Sequence, residues 1–189
     1  MNYIEAIKNY HPYNEQEEID KELILKYIEI FPDILNRTNE IAHITASNWI
    51  VNKDRNKVLM VYHKIYDSWS WTGGHADGEA NLLKLAIKEA KEETGLKNLK
   101  PITEEIFSLE SLCVNGHQKR GKYISSHLHL NITYLLEANE NESLKINQEE
   151  NSGVGWFTLA EALASPSEIW MAENIYQKLL EKLKLFQGE

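Results

Sequence analysis

The chain has 189 residues, 42% of them hydrophobic, a formal net charge of −9 at pH 7 and a single cysteine. That length can bury a core without a second domain, and one cysteine excludes an intramolecular disulfide framework and fits a reducing compartment. The acidic balance argues against nonspecific binding to nucleic acid or to anionic membranes, because both reward clustered Lys and Arg.

No apolar run approaches transmembrane length, and the start MNYIEAIKNYHP lacks the basic and hydrophobic regions of a signal peptide. Cytoplasmic residence is the expectation. There is no internal repeat and no low-complexity segment.

In chain order, Asn14 with Glu17 predicts a capping box opening a helix that runs to about Phe31, where Pro32 stops it. Ile19, Leu23, Tyr27 and Ile30 would give that helix one apolar face. Alternation and β-branched or aromatic enrichment predict strands near 41–51 and 57–63, with the turn NKDRN between them. The segment DSWSWTGGHADGE then places Trp69 and Trp71 on the same side of an extended stretch. Their rings can stack a nucleobase or can simply be core. His75 follows the glycines and either contacts a phosphate or bonds to local backbone.

The next helix carries the most informative pattern. Glu89, Glu92 and Glu93 stand at i, i+3 and i+4, on an arc about a third of the helix circumference wide. Like charges at this spacing weaken an isolated helix by a few tenths of a kcal/mol per pair. A positive group between them would remove that penalty. Leu83, Ile87, Ala90 and Thr94 form a stripe roughly opposite that can bury against a sheet, while Lys84, Lys88 and Lys91 lie off both stripes and meet water. Gly95 ends the helix, and Gly73, Gly74 and Gly78 punctuate the loop before it. Clustered carboxylate oxygens suit Mg²⁺ or Mn²⁺ more than zinc, the competing reading being a solvated acidic face.

Further on, strands are predicted near 104–114 and 126–138, Trp156 and Phe157 end a short strand, and 158–164 and 168–186 read as helices. The order is mixed α/β, with a sheet packed between helices. His127 and His129 share one strand face by their i, i+2 spacing. With His63 or His117 they could make a zinc set, but no fixed-spacing ligand motif supports it; one of them lining a substrate cleft is the preferred reading. Cys113, inside a strand with no adjacent base, reads as packing.

Residues 74–96, GHADGEANLLKLAIKEAKEETGL, resemble a Nudix box, whose pattern is G-x5-E-x7-R-E-U-x-E-E-x-G-U with U a bulky aliphatic. Gly74, Glu89, Glu92, Glu93, Gly95 and Leu96 fall on pattern positions. Three positions depart: the early Glu is Ala80, with Glu79 one residue before it; the Arg is Lys88; and the first U is Ala90. The early Glu is mainly structural in the family, so Glu79 can serve. Lys88 lacks the planar fork of Arg but can hold Glu89 by one charge-assisted bond, so activity is expected to be retained but slow.

The resemblance implies a Nudix-like α/β/α sandwich over roughly residues 40–165. Residues 1–38 would form an N-terminal helical extension packed on a domain of residues 39–189. It implies that Glu89, Glu92 and Glu93, helped by the backbone carbonyl of Gly73, bind Mg²⁺ or Mn²⁺. Glu89 or a downstream carboxylate would handle the attacking water, Glu150 being preferred to Glu149. The implied reaction is hydrolysis of a diphosphate bond, with Glu89, Lys88 and Glu150 as the catalytic set and Trp69, Trp71, His75, His127 and His129 lining the substrate.

The stretch SLESLCVN beyond the box has neither the proline of ADP-ribose enzymes nor the tyrosine of dinucleoside polyphosphate enzymes. LMVYHKIYDS does not resemble the coenzyme A signature. A nucleoside triphosphate, or another nucleoside diphosphate linked to a small group, is the small-molecule partner that remains. Two alternatives use the same scaffold. One is a noncatalytic nucleotide sensor. The other is an enzyme resembling isopentenyl diphosphate isomerases, although Cys113 lacks the expected context. Monomer and homodimer stay equally open.

Overall fold

The computed structural model describes residues 2–119 and 121–186. In chain order the elements begin with helices α1 (Tyr3–Asn9) and α2 (Glu15–Ile30). Strands β1 (Ala42–Val51), β2 (Lys57–His63), β3 (Ser68–Ser70) and β4 (Thr72–His75) lead into helix α3 (Leu82–Thr94). Strands β5 (Leu99–Pro101), β6 (Ser108–Val114), β7 (His117–Lys119), β8 (Lys122–Ile124), β9 (His127–Ala138) and β10 (Asn151–Thr158) follow. The chain closes with α4 (Leu159–Ala164), α5 (Ile169–Met171), a π turn (Ala172–Tyr176), α6 (Gln177–Leu183) and a 3₁₀ turn (Lys184–Phe186). The class is α/β, a mixed sheet with helices and a helical N-terminal segment. Among the described residues no helix is long and apolar enough to cross a membrane.

The chain divides into two compact units, each discontinuous in sequence. The first takes Met1–Ser47, Gly74–Ala86 and Glu104–Tyr134; the second takes Asn48–Gly73, Ile87–Thr103 and Leu135–Glu189.

In the first unit, β6 pairs antiparallel with β9 from Ser108↔Thr133 to Val114↔His127, and α2 packs on β6. The contact is polar at its centre. Glu17, fully buried, accepts from the Tyr10 hydroxyl at 2.5 Å, the Tyr13 N–H at 2.8 Å and Ser108 Oγ at 2.8 Å. Ser108 also bonds Glu110, whose other oxygen accepts from Asn131 Nδ2 at 2.9 Å and Thr133 Oγ1 at 3.1 Å. Asn131 in turn accepts from Thr45 and Ser47 of β1. A buried carboxylate is tolerated only when its lone pairs are met in this way.

This network corrects the predicted face of α2. Asn14 does cap the helix, its side chain accepting from the Glu17 N–H, but the Glu17 side chain turns inward instead of back to Asn14. The inner face therefore runs through Glu17 and Ile24, and Ile19 and Ile30 are 58% and 52% exposed.

In the second unit, β2 is flanked by antiparallel β10 on one edge, and by β1 and then β3 on the other. The β10 register slips between Asn151 and Gly153, a bulge that re-aims Asn151. β5 pairs with the end of β9, Leu99↔Ala138 to Pro101↔Leu136. The helix predicted over 168–186 is present, interrupted by the π turn. Gly95 has φ +75°, and a Cβ there would lie 2.6 Å from Lys145 Cβ. Only glycine closes α3 against that chain.

The strand predicted from 104 begins at Ser108; Ile106 and Phe107 before it are core residues outside the ladder. Cys113 lies on β6 as expected but is exposed, not packed.

Candidate active site

Helix α3 starts from Asn81, whose side chain accepts from the Lys84 N–H at 3.0 Å. Glu79 accepts from the Asn81 N–H at 2.9 Å and pairs with Lys84 Nζ at 2.8 Å, so it acts in the local structure at the helix start. The buried face is Leu82, Leu85, Ala86, Ala90, Glu93 and Thr94, with Leu83 and Ile87 half-buried. This is rotated from the predicted stripe, and the rotation carries one carboxylate inward. Lys84, Lys88 and Lys91 are exposed, as their positions off the stripes predict.

The three glutamates therefore occupy graded environments. Glu93 is 3% exposed, the Glu89 side chain 18% and the Glu92 side chain 54%. Glu93 Oε2 accepts the Gly73 backbone N–H at 3.0 Å, and Oε1 faces Asn151 Nδ2 at 3.5 Å. Burial outweighs both contacts and pushes the Glu93 pKa up to about 8, with the charges of Glu150 and Glu89 adding to the rise. Burial thus disfavours the ionised form of a group that sits beside other carboxylates, and nearby positive charge would offset this.

Lys88 supplies part of that charge. Its Nζ lies 3.0 Å from both Glu89 Oε1 and Glu92 Oε2, and these bonds, Glu89's first, raise the lysine pKa. The expected single bond to Glu89 is present, with a second to Glu92 beside it. Glu150 is exposed at the end of the turn before β10, and its carbonyl accepts the Lys64 N–H at 3.0 Å.

Asn151, the next residue, was not singled out in the sequence. It is 1% exposed, and its Oδ1 is buried with no hydrogen-bond partner among the described residues. Its position directly after Glu150 was the only signal for it. Glu93 and Glu89 offer carboxylate oxygens, a donor type that suits Mg²⁺ or Mn²⁺, and Asn151 faces Glu93 through its Nδ2.

Trp69 and Trp71 are both half-buried, with Ser68, Ser70 and Thr72 inside, so they share the other side of the strand as predicted. Trp69 packs edge-on against Tyr62 (5.4 Å between centroids) and Phe157 (4.6 Å). Trp71 packs edge-on against Tyr176 (5.6 Å).

The histidines belong to the first unit. His75 ends strand β4 and is not a loop residue; its ring lies 5.1 Å from that of His43 and 4.9 Å from that of His129. His127 and His129 lie on one face, with Nε2 atoms 3.3 Å apart. Of the two partners considered for them, His63 stacks on Tyr66 within the second unit, and His117 is half-buried with its ring 6.3 Å from that of His127. His43 takes their place. It was missed because an isolated histidine in β1 carries no spacing signal.

The NUDIX domain family model matches residues 42–180. No curated protein matches the chain in sequence. Among solved structures, a NUDIX-family hydrolase from Clostridium perfringens superposes with a TM-score of 0.55 at 21% identity, over 76% of this chain and 97% of that one. An Ap4A hydrolase from C. elegans gives 0.53 at 21% identity, over 76% and 96%. The NUDIX domain of Shewanella oneidensis NrtR, complexed with ADP ribose, gives 0.52 at 17% identity, over 98% and 99%. At these identities the structures share the fold, and the family match spans most of the chain. The chain belongs to the Nudix hydrolase family of pyrophosphohydrolases.

Proposed function

We propose that the chain is a Mg²⁺- or Mn²⁺-dependent hydrolase cleaving a diphosphate bond in a nucleoside tri- or diphosphate derivative. The observation that carries this reading is Glu93: buried, held by the Gly73 N–H, and with its pKa raised to about 8 among further carboxylates. Glu89, Glu92 and Glu93, with the Gly73 carbonyl, would hold the ion. A divalent ion bound there neutralises charge on phosphate oxygens and lowers the pKa of a water.

The chain's own groups divide the remaining work. Glu93 is fixed by the Gly73 N–H, and Lys88 holds Glu89 in place as an acceptor for a water proton. Glu150, whose charge reaches Glu93, is the second candidate for that proton. Trp69 and Trp71, each half-buried against other rings, offer aromatic surface for a base. The net charge of −9 favours a substrate that arrives already paired with its cation.

The test is a panel of nucleotides, sugar nucleotides and isoprenoid diphosphates with Mg²⁺ and with Mn²⁺, products followed by mass. Metal-stimulated turnover is expected for a nucleoside phosphate, and its loss is expected in Glu92→Gln and Glu93→Gln chains that remain folded. One observation favours a second reading. Lys88 already bridges Glu89 and Glu92, which lowers the demand for metal and suits a nucleotide sensor. Thermal stabilisation by nucleotides with no product from any member of the panel would select the sensor.

A further inference from the structure

Four imidazoles gather in the first unit. The ring of His43 lies 5.1 Å from that of His75, 4.9 Å from that of His127 and 5.0 Å from that of His129. One ligand nitrogen from each of His43, His75 and His129 can be chosen so that all three lie within 4.8 Å of one another. They come from three separate strands, β1, β4 and β9, so helical or hairpin spacing does not account for the gathering.

The hydrogen bonds say which nitrogens face inward. Nδ1 of His43 lies 2.9 Å from the Asn39 carbonyl, and Nδ1 of His127 lies 2.8 Å from the Ser125 carbonyl. A carbonyl only accepts, so each ring places its proton on Nδ1 and keeps a lone pair on Nε2. This is the outer contact that metal-bound histidines make.

His43 is 3% exposed, and its Nε2 is buried with no hydrogen-bond partner among the described residues. The Nε2 atoms of His127 and His129 stand 3.3 Å apart.

We propose that His43, His75 and His129 form a binding site for a transition-metal ion of the zinc class, with His127 packed against them outside the coordinating set. Neutral imidazoles suit Zn²⁺, Co²⁺ or Ni²⁺ and discriminate against Mg²⁺ and Mn²⁺. The site is independent of the carboxylate reading above and stands or falls separately.

The test uses tag-free full-length chain stripped with chelator and titrated with Co²⁺ in the visible, followed by displacement with Zn²⁺ in a calorimeter. One Co²⁺ per chain with intense four-coordinate bands is expected, displaced by Zn²⁺ and untouched by excess Mg²⁺. His75→Gln and His129→Gln, both at half-buried positions, should abolish the bands. His127→Gln should weaken binding by about 10–100-fold, as losing an outer-shell partner does. Glu92→Gln and Glu93→Gln should leave the spectrum intact, which separates this result from any failure of the hydrolase reading. His43→Gln is a less secure probe, since it disturbs a buried residue, and circular dichroism must show it folded. Absence of stoichiometric uptake, or uptake that survives both His75→Gln and His129→Gln, overturns the site and leaves the His43 nitrogen to a buried water.

Discussion

The Gly73 N–H donates to Glu93 Oε2 at 3.0 Å, tying strand β4 to the one glutamate of the three that the box helix buries. The N–H of Gly73 and its carbonyl belong to different peptide groups. The bond to Glu93 therefore does not itself occupy the carbonyl that the proposed ion site would use, and it fixes the orientation of the chain that presents it.

The raised pKa of Glu93 gives the metal-free chain a characteristic pH dependence. Its folded value of about 8 lies above the ordinary 4.5, so between these values the folded state binds more protons than the unfolded state. The stability it contributes is complete below about pH 4.5 and is lost as pH rises through 8. Melting temperature in chelator should accordingly fall across this window, and Glu93→Gln should flatten the slope. Saturating Mg²⁺ should reverse it, because the ion binds the ionised form and releases a proton. An unchanged slope in Glu93→Gln would assign the effect elsewhere.

Lys88 sits 3.0 Å from oxygens of both Glu89 and Glu92, where the family pattern has arginine. An ammonium is a point charge that holds Glu89 by a single bond, whereas a guanidinium engages a carboxylate through two parallel bonds. Lys88→Arg should therefore raise kcat about fivefold, the worth of roughly one additional hydrogen bond, with KM little changed. Lys88→Met should lower kcat while tightening Mg²⁺ binding, since the ion no longer competes with the lysine. Steady-state kinetics over a range of Mg²⁺ concentrations separates the two effects.

The sequence carried much of the local structure and little of what depends on distant partners. Strand β2 spans Lys57–His63 as alternation predicted, and the Asn14 cap and the Gly95 stop are where their chemistry places them. Short elements such as α1, β3, β5 and the β7–β8 hairpin have too few residues to show a period. The face of α2 was misread because Glu17 three residues after Asn14 has the form of a capping box. What decides its orientation is Ser108, 91 residues away. The carboxylate edge was legible because one helix presents all of it. The histidine cluster was not, because three strands assemble it and only the i, i+2 pair of β9 leaves a mark in the sequence.

Glu17 itself yields a stability prediction. It accepts from Tyr10, Tyr13 and Ser108 inside the first unit, and burial with the Glu17 charge raises the Tyr10 pKa far above its normal range. Truncation removes the acceptor these three donors share, although Ser108 keeps Glu110 and the Tyr10 hydroxyl keeps the Phe107 carbonyl at 3.3 Å. Glu17→Ala should cost about 3 kcal/mol, a fall in melting temperature of roughly 6–12 °C. Glu17→Gln should cost less, because an amide oxygen still accepts two of the three bonds. Thermal denaturation of the two variants side by side checks the order, and equal losses would mean that packing volume matters there more than acceptors.

Gly153 controls the setting of Trp69. A Cβ at this bulge would meet Trp69 Cη2 at 2.8 Å and Tyr62 Cβ at 3.2 Å, so the indole rests directly on the glycine backbone while Tyr62 and Phe157 hold its edges. The Tyr62 Cβ cannot move without shifting β2, so in Gly153→Ala the indole must tilt. Overpacking of this kind costs about 1–3 kcal/mol. If the exposed part of Trp69 stacks a base, the tilt should raise KM severalfold and leave kcat near the parent value, because the carboxylates are untouched. Trp69→Phe should show the same split with a smaller loss of stability. Near-ultraviolet circular dichroism will report the movement of the ring independently of activity. A dichroism change with no change in KM would mean that Trp69 packs the second unit and takes no part in binding.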